Sequence, residues 1–179
     1  MTVAAAPGLA GVLVLVAYLG LAVASVVLAV IDIRVRRLPD AIVLPTLAGL
    51  ALLLAAAALV AGEATALLRG LVGAVALFAL YLVIALLSRG GMGFGDVKLA
   101  AVLGLATAWV GWDALVVGSL TAFVLGGLFG VVMLAARRLA RGGAVPFGPW
   151  MLAGAWIGIL SGPAIWAWYA GLAGMPPGG

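Results

Sequence analysis

"LAGVLVLVAYLGLAVASVVLAVIDIRVRRLPD", Leu9 to Asp40, decides the fold class. From Leu9 to Ile31 no side chain is charged. At about 1.5 Å per residue, a helix of that length crosses the ~30 Å hydrocarbon core of a bilayer. The run then ends abruptly on Asp32, Arg34, Arg36 and Arg37, before Pro39-Asp40 starts the next apolar run. The same pattern recurs along the chain. Breaks in hydrophobicity delimit spans at roughly Leu9–Ile31, Ile42–Ala61, Ala66–Leu87, Val97–Val110, Ala114–Ala136 and Pro149–Ala170. The apolar runs are continuous, whereas strands of a membrane barrel alternate apolar with polar residues, so the spans are helices.

Composition agrees. Charged residues make up 8% of the 179 residues, against about 25% in soluble domains, and mean hydropathy is +1.41. So little polar material could not cover a water-facing surface. The expected fold class is an all-α integral membrane protein with about six transmembrane helices in one bundle. Residues 1–171 are expected to form a single membrane-embedded domain and 172–179 a disordered tail. The first run is too long and lacks the basic start of a cleaved signal peptide, so it is read as a span.

Charge distribution orients the bundle. Arg34, Arg36, Arg37, Arg89, Lys98, Arg137, Arg138 and Arg141 fall in loops on one side by parity, eight of the nine basic residues. Arg69 alone falls opposite, with Glu63 and Asp113. The positive-inside rule makes the basic side cytoplasmic and puts both termini outside, in a multi-pass protein of the inner (plasma) membrane. The cations are topological signals, with anionic lipid as their partner; no soluble basic domain exists to bind nucleic acid. Asp40 and Asp113 are placed to cap spans two and five, and Pro149 suits the first turn of span six. Gly126/Gly130 and Gly154/Gly158 have the spacing of close helix packing. Trp109, Trp112, Trp166 and Trp168 lie near outer ends, where indoles favour the interface.

Absent residues limit the chemistry. There is no cysteine and no histidine. Thiolate and imidazole catalysis are therefore excluded within this chain, as are thiolate or imidazole metal sites. No metal or cofactor is expected.

Two acids remain. Asp32 follows one crossing and Asp96 three, so both map to the same face. Each has a plain structural reading: Asp32 paired with Arg36 one turn on, Asp96 as a cap or first-turn acid of span four. Against that stands the stretch "GGMGFGDVKLA", Gly90 to Ala100. Gly90, Gly91, Gly93 and Gly95 remove side chains just before Asp96, which lets another backbone approach. Irregular backbone at membrane depth is tolerated where protein or a water cavity satisfies it. Two close carboxyls share a proton and activate water without histidine, cysteine or metal. That is aspartic protease chemistry.

Gly93-Phe94-Gly95-Asp96 resembles the GxGD motif of membrane aspartyl proteases. The longer run, continuing through Val97-Lys98-Leu99, is similar to the type IV prepilin peptidase version. "DIRVRRLPD" resembles that family's first aspartate segment, with Asp32 seven residues before Pro39-Asp40. "PFGP", Pro146 to Pro149, is similar to a third signature of the family. The presenilin-like group shares GxGD but fits these contexts less well. The resemblance implies an aspartic endopeptidase that cleaves the leader of prepilins or pseudopilins at the cytoplasmic face. It implies Asp32 and Asp96 as the catalytic pair, supported by Gly93, Gly95, Lys98 and Pro39. Many members also N-methylate the new terminus with S-adenosylmethionine, using a cysteine-bearing region this chain does not contain. Peptidase activity without methyltransferase activity is therefore expected. The alternatives are a proton- or cation-coupled transporter using the same carboxylates, or an inactive membrane scaffold.

Overall fold

The computed structural model describes residues 8–88, 92–136 and 146–174. Among them are six helices and no strand: α1 Leu9–Val35, α2 Asp40–Ala61, α3 Thr65–Leu87, α4 Phe94–Val110, α5 Trp112–Ala135 and α6 Gly148–Leu172. Every expected span is a helix. Five are long and apolar enough to cross a membrane unaided. Large apolar side chains such as Leu19, Val23, Leu52, Leu80, Val124 and Leu160 point outward, as they must where the solvent is lipid. The chain is a multi-pass helical membrane bundle.

Two boundaries differ by three or more residues from the sequence expectation, and both concern the acids. α1 continues past Ile31 to Val35, so Asp32 sits in its last turns. α4 starts at Phe94 rather than Val97, so Asp96 lies in its first turn. In both cases the ends of apolar runs mark where the side chains change, while the backbone goes on bonding to itself. Arg36, at φ 54, then ends α1 in a left-handed turn, its N–H bonded to the Asp32 carbonyl. α6 runs through Leu172; the remainder of the expected tail from residue 175, like Gly90, Gly91, Arg89, Arg137, Arg138 and Arg141, lies outside the described residues.

α4 is the axis of the bundle. Its 17 residues span only about 25 Å, less than the hydrocarbon core. The reason is burial: every residue from Leu99 to Ala108 is buried, against α2, α3, α5 and α6. A helix sheathed by protein need not match the lipid thickness. Small residues permit the sheathing. A β-carbon on Gly104 would collide with the Gly73 carbonyl of α3, so these two helices meet backbone to backbone. Gly154 and Gly158 meet α5 in the same way, Gly126 accepts the ring of Phe147, and Gly130 faces open space.

Arg69 has a structural task. Its Nε donates to the Ala108 carbonyl and one terminal nitrogen to the Trp109 carbonyl, both at 2.5 Å. These carbonyls end α4 and have no partner within the helix, and a cation there also suits the helix dipole. Arg69, which loop parity set apart from the other basic residues, thus closes the central helix.

Two expected caps are not formed. α2 is preceded by Pro39 in an extended conformation, and Asp40 is its first residue, with its carboxylate on Lys98 instead of on its own backbone. Asp113 accepts from the N–H of Ala114, the next residue, and Gly111 precedes α5 without a side-chain cap. Pro149 does sit in the first turn of α6.

Candidate active site

Asp32 is 4% exposed, which an unpartnered carboxylate would not tolerate. Its partner is the N–H of Gly148, which donates to Oδ2 at 3.1 Å. Gly148 is the first residue of α6. Helix N-termini carry N–H groups with no partner inside the helix, and the positive end of the dipole favours an acid there. The glycine keeps this contact clear: a β-carbon at position 148 would stand 2.7 Å from Asp32 Oδ2, and the carboxyl would have to shift. The salt bridge with Arg36 considered from the sequence is not formed, since Arg36 lies beyond the end of the helix, in the turn.

Asp96 is half-buried in the first turn of α4, its N–H on the Gly93 carbonyl at 3.1 Å. Gly93 precedes the helix in an extended conformation, without a side-chain cap. Asp32 and Asp96 open onto one cavity of about 320 Å³. Gly93, Phe94 and Gly95 form one wall of the cavity, Arg36 to Leu38 a second, and Pro146 with Phe147 a third. That volume is at the lower end of the range of small-molecule clefts and takes a short stretch of extended chain with water.

The two glycines nearest Asp96 do different things. A β-carbon on Gly95 would lie 2.8 Å from the Leu38 β-carbon, so Gly95 makes room for the α1–α2 corner of this same chain. Gly93 is exposed, and a β-carbon there would meet only the Asp96 carboxylate and the Gly95 nitrogen, both near 4 Å. Of the described pair, only Gly93 leaves space for an incoming strand. Pro39 fixes the extended backbone that leads Leu38 into α2.

Lys98 does not face the acids. Its Nζ binds Asp40 Oδ2 at 2.6 Å, the one ion pair among the described residues. The resemblance counts Lys98 among the residues that support the pair, but its ammonium is turned away from the acids. Two helical steps from Asp96 rotate it by about 200°, to the opposite side of α4.

Sequence reasoning missed Gly148, Leu38 and Phe147. Phe147 packs against Tyr81 and Phe123, with ring centroids 6.2 and 5.7 Å away, and its edge fills the space over Gly126. It thereby seats the start of α6 and the Gly148 N–H. "PFGP" carried a readable signal: glycine just ahead of a helix-starting proline presents an unshielded N–H.

A family model described as the type IV leader peptidase family matches residues 8–131, which include both aspartates. Curated relatives called prepilin leader peptidase/N-methyltransferase are similar over most of the chain. That of Stutzerimonas stutzeri is 38% identical over 143 residues, 79% of this chain and 48% of the relative. That of Pseudomonas putida is 40% identical over 141 residues, 78% and 48% respectively. That of Aeromonas salmonicida is 36% identical over 146 residues, 80% and 48%. The chain spans about half the length of these relatives. No solved structure matches it. With a family model covering more than half of its residues, this chain belongs to the type IV leader peptidase family.

Proposed function

We propose that this chain is a membrane aspartic endopeptidase. It removes the leader peptide of type IV prepilin-like precursors at the cytoplasmic face, with Asp32 and Asp96 as the catalytic pair. The observation that carries this reading is the shared cavity of Asp32 and Asp96 at one end of the bundle. A proton or ion carrier would place its carboxylates along a path near the midplane. An end-on cavity suits a peptide that arrives from the aqueous side. Arg34, Arg36, Arg37 and Lys98 stand at that same end, which supports a cytoplasmic orientation with the termini outside.

The chemistry runs as follows. The precursor lies extended over Gly93, with its scissile carbonyl between the acids. One carboxyl is ionised and the other protonated, because two adjacent negative charges repel. The carboxylate removes a proton from water as the water oxygen bonds to the carbonyl carbon. The protonated carboxyl gives its proton to the carbonyl oxygen, forming a gem-diol. The carboxyl that is now ionised takes a proton from one hydroxyl, the one that is now protonated gives its proton to the leaving nitrogen, and the C–N bond breaks, which restores the starting protonation of the pair. The leader leaves with a new carboxyl and the mature protein with a new amine. The Gly148 N–H occupies Asp32 Oδ2 and leaves Oδ1 without a protein partner among the described residues, so one oxygen is held and the other is available to react.

The test is product identity. The chain is expressed with a pilin-like precursor that carries a short basic leader ahead of a hydrophobic helix, and products are weighed by mass spectrometry. The expected product begins at the junction of leader and hydrophobic segment. A precursor that stays full length beside correctly inserted peptidase contradicts the proposal.

A further inference from the structure

The two acids sit on α1 and α4, and these helices scarcely touch. Their one hydrogen bond, from the Tyr18 hydroxyl to the Ala106 carbonyl, is about 21 Å along α1 from Asp32. The relative position of the carboxyls must therefore be set by intermediaries. α6 supplies one through Gly148. The other is the corner between α1 and α2. Its Leu38 packs on Gly95, a contact that can slide, and its Asp40 binds Lys98, a contact that is directional.

Lys98 is badly placed on electrostatic grounds alone. It lies within the first turns of α4 and beside the first turn of α2, where both helix dipoles disfavour a cation. Asp40 is the acid that offsets this, and it suits the α2 terminus. The pair ties the segment that leaves Asp32 to the helix that carries Asp96. We infer that Lys98 and Asp40 are positioning residues: their ion pair latches the α1–α2 corner to the start of α4 and sets the spacing of the two catalytic carboxyls.

The inference rests on the acid-pair reading, so its test has one readout with activity and one without. The chain has no cysteine, so nitroxide labels can be placed on Arg34→Cys and Phe94→Cys, both exposed, one near each acid. In the parent the label distance is narrowly distributed. In Lys98→Gln and in Asp40→Asn it broadens, and the double variant is no broader. In the cleavage assay each single change lowers kcat about tenfold with KM nearly constant, and the double variant falls no further, because residues of one contact are not additive. The pair is partly exposed, so raising salt lowers the parent rate toward that of the variants and leaves the variants unmoved. Unchanged label distances overturn the inference, even if no precursor is ever cleaved. So do additive losses, or losses confined to KM. A parent that cleaves nothing while the labels spread as expected counts against the peptidase reading alone.

Discussion

Asp32→Asn and Asp96→Asn each lower the rate of leader release by about 10³-fold or more, since each removes one partner of the proton transfers. Asparagine keeps the shape of the side chain but cannot cycle a proton. At position 32 the amide oxygen can still accept from Gly148, so the fold is retained. The double variant is little worse than either single one, because two groups that act in one step fail together. Initial rates of leader release, measured beside membrane insertion, decide the matter. A single variant with near-parent activity removes that residue from the site. The comparison with Asp40→Asn is informative: all three residues are aspartates near the same face, but Asp40 is spent on Lys98 and its loss costs far less.

The second large effect comes from a residue with no side chain. Gly148→Ala lowers kcat about 100-fold, the order of loss that follows a reacting group displaced by about 1 Å. The N–H that holds Asp32 is still present in this variant, but the new methyl occupies the position 2.7 Å from Oδ2. The carboxyl must move. Alanine is also the better helix former, which offsets part of the crowding at the start of α6. Thermal stability in detergent should therefore change little while turnover falls. Parent-like turnover in Gly148→Ala would mean that Asp32 is not held where it reacts.

Much of this protein was legible before its structure. Uninterrupted apolar runs gave the helices, because lipid allows the backbone only helices or closed barrels and barrel strands alternate apolar with polar residues. Asp32 and Asp96 stood out because acids at membrane depth need a reason. What stayed hidden is where helices meet. Gly148 and Asp32 are 116 residues apart, and Lys98 and Asp40 are 58 apart. No local pattern pairs them. Lys98 and Arg69 read as topology signals because position alone shows their charge and not their partners. The fourth apolar run is the shortest of the six, and only its burial shows a sheathed axis. The glycines before Asp96 were read as letting another backbone approach, and at Gly95 that backbone is the chain's own α1–α2 corner at Leu38.

The most direct measurement asks whether the two acids face one another across one cavity. Asp32→Cys/Asp96→Cys puts the only two thiols into a chain that has none. The purified double variant is treated with a short bifunctional thiol reagent and weighed intact. One reagent per chain, with both thiols consumed, is the expected product. Two reagents per chain, each attached at one end, would contradict a shared site.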